Sequence, residues 1–198
     1  MNTDQKSAIL PLDRPVQLFR GYDRNSPCPC GSGTKAKGCC GAATTKIVKF
    51  GHPSLKAVAA EFTEEDLRDV AKLRLLRTAC EYSAGGVGLS GNQIDWLRRA
   101  VFVAPNRTNG LFMLNPEIID HSAETNVSVE GCLSFPGVRA NVERFNRITV
   151  QYRGLDWMLT QLTFVAWSAR VVQHEIDHLS GICRVGEAWE LQRAVGIK

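Results

Sequence analysis

No apolar run in the chain approaches eighteen residues, so the sequence offers no segment able to cross a membrane as a helix, and no membrane contact is expected. The opening residues, MNTDQKSAILPLDRP, have neither the long apolar core nor the small-residue cleavage site of a secretory signal, which makes a cytoplasmic address the expectation. Charge of one sign is also lacking. The 24 basic and 20 acidic residues leave a net charge of +4, which permits contact with RNA or an anionic surface without requiring it. Histidine is scarce, at four residues. Cysteine is plentiful: the chain has seven, an odd number, and in a cytoplasmic protein clustered cysteines are more often metal ligands than disulfide partners. With 198 residues, 44% of them hydrophobic and 22% charged, the chain can bury the core of one domain and carry a small appendage.

Composition divides the chain into three parts. Residues 1–24 are mixed and polar, interrupted by Pro11, Pro15 and Gly21, and read as a flexible lead-in. Residues 25–41, NSPCPCGSGTKAKGCCG, hold four cysteines, four glycines and two prolines and lack the apolar side chains of a core. Residues 42–198 read as a conventional α+β domain in which antiparallel or mixed strands surround one buried helix. Within it Lys46–Phe50 is a short apolar segment. Thr63, followed by three acids, caps a helix running to about Ser83 and closed by Gly85-Gly86. Strands are expected at Ala100–Ala104, Leu111–Pro116, Ile148–Tyr152 and Leu159–Ala166. A second helix follows from about Trp167 to His178, closed by Ser180-Gly181, and a short third one lies within Glu187–Lys198.

The second helix carries His174-Glu175-Ile176-Asp177-His178, an HExxH pattern. Residues four apart share a helix face, so the two imidazoles can meet one metal ion while Glu175 lies beside a bound water. Upstream, Glu130-Gly131-Cys132-Leu133-Ser134 offers a thiolate as third ligand. Two imidazoles and a thiolate leave a fourth tetrahedral position for water, whose pKa a divalent metal lowers from about 15.7 toward roughly 7. Glu175 is placed to take a proton and return it to a leaving amine.

Read with Gly86-Val87-Gly88-Leu89-Ser90-Gly91-Asn92-Gln93, these motifs resemble, in order and spacing, the three motifs of the bacterial peptide deformylases, over about residues 47–182. The resemblance implies hydrolysis of the N-formyl group of N-formylmethionyl peptides during or after translation, with release of formate. It implies Cys132, His174 and His178 as metal ligands, Glu175 as the proton carrier, and the Gln93 side-chain amide and Leu133 N–H as oxyanion donors. Gly86, Val87 and Gly88 would meet the peptide backbone as an added strand does. Val87, Trp167 and Val171 fall near the methionine pocket and Arg139 near the peptide backbone; core packing for the first three and a solvated Arg139 are the competing readings. Glu130 is structural by the same pattern, paired with Arg144. The chain departs from the family at Ser90-Gly91-Asn92, where two alanines and often a proline are usual. It also departs in the bulk and polarity of Trp167, Ser168 and Arg170, and at Ile182-Cys183-Arg184, where an apolar strand is usual.

Cys28-Pro29-Cys30 and Cys39-Cys40 resemble the SEC-C zinc motif of the preprotein translocase ATPase and of some methionine aminopeptidases. Four thiolates would close a tetrahedral structural zinc site and supply the folding free energy of a segment without a core. Lys35 and Lys37 make that knuckle basic, which suits docking to ribosomal RNA or an acidic protein surface, or simply a solvated loop. The catalytic metal is Fe2+ or Zn2+, since the donor set suits both. Cys80, Cys183, His52 and His121 fit no ligand spacing, and a monomer is expected. Two other functions remain open: a related hydrolase for another N-formyl or N-acyl amide, and an inactive module that binds a ribosome or chaperone.

Overall fold

The computed structural model describes residues 25–28, 34–39, 42–43, 46–106 and 110–194. The lead-in at 1–24, the expected zinc ligands Cys30 and Cys40, and residues 195–198 lie outside them. The architecture is α+β. Strands β1 (Gly88–Ser90), β2 (Ala100–Val103), β3 (Leu111–His121), β6 (Arg147–Arg153) and β7 (Leu159–Val165) form an antiparallel sheet in the order β1-β2-β3-β6-β7. Strands β4 (Thr125–Cys132) and β5 (Phe135–Phe145) form a separate long hairpin. Three α-helices accompany them: α1 (Val70–Tyr82), α2 (Ala166–Leu179) and α3 (Arg184–Ala194).

Helix α2 sits between the two sheets, and its residues sort onto three faces at the helical period. Ala169, Val172 and Leu179 are buried against Val101, Met113, Ile148 and Val150 of the large sheet, with Ile176 packed beside them. Each fully buried Val, Leu or Ile contributes about 1.5–3 kcal/mol. Arg170, Gln173 and Asp177 bond the hairpin or its neighbours. The third face, with Val171, His174 and Glu175, opens on a cleft. Gly181 ends the helix at φ +72°, and a Cβ there would stand 2.6 Å from the Lys56 carbonyl oxygen, so this position needs glycine.

Several expected boundaries differ. The segment from Thr63 is a 3-10 helix, Glu64–Arg68, in which the Asp66 carboxylate accepts from the Thr63 N–H at 2.8 Å. Asp69 then breaks it at φ −79°, ψ 61° and caps α1 by accepting from the Lys72 N–H at 3.0 Å. The last helix starts at Arg184, three residues earlier than expected, where Arg184 reaches back to the Asp177 carboxylate at 3.0 Å. Ile182 and Cys183 are therefore a short irregular link between α2 and α3 and not the start of a strand. His121 ends β3 and stacks on Phe145 at 3.8 Å. Residues 25–28 and 34–39 pair as a small hairpin, Cys28 N–H to the Thr34 carbonyl at 2.6 Å, followed by a 3-10 turn at Ala36–Gly38. Cys28 and Ala36 are buried there with Cys39 and Tyr82 packed against them, so this segment has an apolar contact that composition did not suggest.

Candidate active site

Helix α2 supplies His174 and His178, and the far end of β4 supplies Cys132. One donor atom from each lies within 4.8 Å of the others. The Cys132 Sγ is 3.3 Å from His178 Nε2. A tetrahedral ion about 2.3 Å from sulfur and about 2.0–2.1 Å from nitrogen separates two such donors by roughly 3.5 Å, so this set fits a single metal. His174 turns its Nδ1 to the Glu130 carboxylate at 2.9 Å, which leaves Nε2 as its free donor. His178 is wholly buried, and burial followed by the charge of His174 pushes its pKa well below the usual value, toward the neutral form that a metal requires.

Two buried carboxyls beside these donors are driven apart. Burial pushes Glu130 up, but hydrogen bonds from His174 and Arg144 and the Arg144 charge outweigh it and hold the group at about 2. Glu175 is buried with no guanidinium on it, and burial raises its carboxyl to about 7. Such a split separates a fixed anion from a group able to exchange protons near neutrality. The Glu175 Oε1 lies 2.5 Å from where a Cβ on Gly88 would stand, so β1 approaches the carboxylate closely only because Gly88 has no side chain.

Gln93 sits in a buried 3-10 turn directly after β1. Its Oε1 accepts from the Ser90 N–H at 3.0 Å, which only an oxygen can do. The amide Nε2 therefore points the other way, 3.5 Å from the Cys132 sulfur and 3.2 Å from the Ser134 hydroxyl. The Leu133–Ser134 segment is held from both sides, its carbonyls accepting from Lys49 Nζ at 2.9 Å and the Phe50 N–H at 3.1 Å.

Gln93, Glu130, Cys132, Leu133, His174 and Glu175 line one cleft of 710 Å³, which also includes Gly86, Val87, Gly88, Arg139, Trp167 and Val171. All the residues that the sequence suggested for substrate contact thus meet one cavity. Val87 and Val171 also pack in the core of the large sheet, whereas Trp167 is 52% exposed at the rim. Arg139 is exposed and lies across Gly131, its register partner in the hairpin.

Sequence reasoning missed three features. Asn92, fully buried, donates to the carbonyls of Ser54 at 3.0 Å and Ala57 at 2.7 Å and so ties the Pro53–Lys56 turn to the Gln93 loop. Cys183 and Cys132 pack against the same apolar cluster. Arg170, read as a polar intrusion near the pocket, spends its guanidinium on Glu130 and the hairpin backbone. Residues 92, 170 and 183 stand in the sequence as plain letters, but their partners lie 28 or more residues away.

Two imidazoles and one thiolate, with a buried glutamate beside them on an open cleft, are the donor set of a mononuclear metallohydrolase. Residues 44–194 match the polypeptide deformylase family, and residues 24–42 match the SEC-C motif. The peptide deformylase of Endomicrobium trichonymphae is 40% identical over 142 residues, covering 69% of this chain and 82% of that protein. That of Carboxydothermus hydrogenoformans is 38% identical over 154 residues, 76% of this chain and 97% of the other. The Met-Ala-Ser-bound class I type b peptide deformylase from Acinetobacter baumannii superposes with a TM-score of 0.65 at 32% identity, covering 70% of this chain and 94% of that one. The actinonin-bound form of the same enzyme gives 0.65 at 34% identity, 71% and 94%. The chain belongs to the polypeptide deformylase family, a family of metal-dependent hydrolases.

Proposed function

We propose that this protein removes the formyl group from N-formylmethionyl peptides, consuming water and releasing formate and a free N-terminal amine. The observation that carries the reading is the convergence of Cys132, His174 and His178 within 4.8 Å, with Cys132, His174 and Glu175 lining the cleft. Cys132, His174 and His178 would hold one divalent ion, ferrous iron on the family resemblance, with zinc also suited to these donors. When bound, the ion supplies Lewis acidity toward water and the formyl oxygen. Glu175 takes a proton from the attacking water and delivers it to the departing amine, a double duty that its carboxyl near 7 suits at neutral pH. The Gln93 amide and the Leu133 N–H donate to the oxygen on which negative charge develops, each such donor contributing about 3 kcal/mol to barrier lowering. Gly86, Val87 and Gly88 bind the peptide as an added strand, Val87, Val171 and Trp167 surround the methionine side chain, and Arg139 meets the peptide backbone. The exposed Trp167 at the rim favours one second reading, a preference for another N-formyl amide.

Residues 25–41 form, on this reading, a zinc knuckle held by Cys28, Cys30, Cys39 and Cys40, and residues 42–198 a monomeric catalytic domain working in the cytoplasm. Lys35 and Lys37 are exposed on the knuckle and suit an acidic partner such as ribosomal RNA, raising the effective concentration of nascent chains. No helix among the described residues is long and apolar enough to cross a membrane. The test is formate release from formyl-Met-Ala-Ser by protein purified without oxygen, beside Glu175→Ala, with metal content measured for both. Turnover lost in the variant, with about two metals per chain in each, supports the reading. No turnover by iron-loaded wild-type protein refutes this substrate, and activity on smaller formylated amides would then identify the second reading.

A further inference from the structure

The carboxylate that orients His174 is shared among donors from two arginines and the imidazole itself. Glu130 Oε1 accepts from Arg144 Nε at 2.9 Å and from Arg170 Nη1 at 2.7 Å, while Oε2 accepts from Arg144 Nη2 at 3.1 Å and His174 Nδ1 at 2.9 Å. Four donors fill the acceptor sites of one carboxylate. Arg170 is 4% exposed, and every other bond from its guanidinium goes to the hairpin: Nη1 to the Val142 carbonyl at 2.8 Å, Nη2 to the Asn126 carbonyl at 2.9 Å and to the Asn126 side-chain oxygen. It stands one helical turn before His174, on the face of α2 that meets the hairpin. The hairpin bears Cys132 at the end of β4, so Arg170 joins the element that offers the thiolate to the element that offers both imidazoles.

We propose that Arg170 is a positioning residue of the metal site, acting through Glu130 on the orientation of His174 and through Asn126 and Val142 on the placement of the Cys132 hairpin. The proposal rests on the reading of Cys132, His174 and His178 as metal ligands. The network without Arg170 keeps the Arg144 fork on Glu130, so the ion pair that the family pattern implies survives. What disappears is the second charge on Oε1 and the donors to both strands of the hairpin. Glu130 then has one fewer restraint while holding the His174 ring, and the separation between thiolate and imidazoles becomes softer. Arginine suits this place because its rigid planar fork reaches several acceptors at once, whereas a lysine ammonium presents one point charge.

The test compares Arg170→Met and Arg170→Lys with wild-type full-length protein, each loaded with Co2+ at the catalytic site. Three quantities are read: the half-time of Co2+ release to a chelator, the visible absorption of the bound ion, and kcat and KM for formyl-Met-Ala-Ser. Loss of a group that orients a ligand typically costs 10–100-fold in metal affinity. Arg170→Met is expected to release Co2+ at least about tenfold faster, with a shifted ligand-field spectrum and a larger loss in kcat than in KM. Arg170→Lys should fall between the two. Release within twofold of wild type and superimposable spectra in both variants would overturn the proposal, whatever the change in their unfolding midpoints. If the Met variant does not fold, the Lys variant decides by the same criteria. Wild-type protein that takes up no Co2+ on these three ligands would overturn the metal-site reading and this proposal with it.

Discussion

Glu175→Gln should stabilise the metal-stripped protein, and by an amount that depends on pH in a defined way. The carboxyl is raised from its usual 4.5 to about 7, first by burial and then by the charges of Cys183 and Glu130 against the opposing effects of His174 and Arg144. A folded-state pKa above the unfolded one means that the folded protein binds the extra proton between those two values. Stability therefore falls as pH rises from 4.5 to about 7 and is flat on either side. The gap between the two values corresponds to about 3 kcal/mol, since each pKa unit is about 1.4 kcal/mol. Glutamine cannot ionise, so Glu175→Gln removes this slope. Urea unfolding of chelator-treated protein should show wild type and variant within about 1 kcal/mol of each other at pH 4.5 and the variant ahead by about 3 kcal/mol at pH 8. Glu130 supplies the contrast. Its folded value of about 2 lies below the usual 4.5, so its contribution is present above pH 4.5 and is lost as pH falls toward 2. Glu130→Gln removes the negative charge shared by two buried guanidiniums, which keep only Asp177 and the hairpin oxygens, and should cost about 3–5 kcal/mol at pH 8. A stability difference between wild type and Glu175→Gln that does not change with pH, or a Glu130→Gln variant as stable as wild type, would refute the assignment of these two carboxyls.

Gly88→Ala should impair turnover while leaving the fold and the metal in place. The new Cβ would stand 2.5 Å from Glu175 Oε1 and 2.9 Å from its Cδ, so the carboxylate must move, and displacements of about 1 Å cost about 100-fold; formate release beside metal content measures it. Asn92→Ala leaves the Ala57 carbonyl without its donor and the Ser54 carbonyl with the Ala57 N–H alone, and should lower stability by about 1–3 kcal/mol, read from the urea midpoint of the metal-loaded protein.

The parts of the fold that announce themselves locally were legible in the sequence. The metal helix, its glycine stop and four of the large-sheet strands follow from periodicity and turn residues, and HExxH with the upstream cysteine marks three residues that the structure brings within 4.8 Å. The β4–β5 hairpin was missed as a pair of strands. On β4 the outer face exposes Val127 and Val129 while Glu130 is buried, so the usual alternation of apolar-in and polar-out is inverted on that strand, whereas β5 keeps it at Ala140 and Val142 and departs from it at the buried Arg144. A similar inversion hid the hairpin-facing side of α2. A helix carrying Arg170, Gln173 and Asp177 at helical spacing reads as having a solvated side, yet Arg170 and Gln173 are buried and every one of the three has a bonded partner. Burial of polar groups depends on partners distant in sequence, and no local pattern carries that information.

The polar seam also joins the separated motifs that bear the candidate site residues. A hydrophobic interface between α2 and the hairpin would bind them together without fixing their relative rotation, because apolar contacts are non-directional. Gln173 instead exchanges two hydrogen bonds with the Phe145 backbone, at 3.1 and 3.0 Å, at the base of the hairpin. Arg144 spans from Glu130 on β4 to Asp177 on α2, and Asp177 in turn takes Arg184 at the start of α3. Each bond has a required direction, so the seam sets both distance and angle between Cys132 and the two imidazoles. Apolar packing against the large sheet supplies the adhesion on the opposite face of the same helix. One helix thus separates the two tasks, stability on its sheet side and ligand geometry on its hairpin side. Substitutions on the two sides should accordingly differ in kind, the first shifting unfolding midpoints and the second shifting metal retention and kcat.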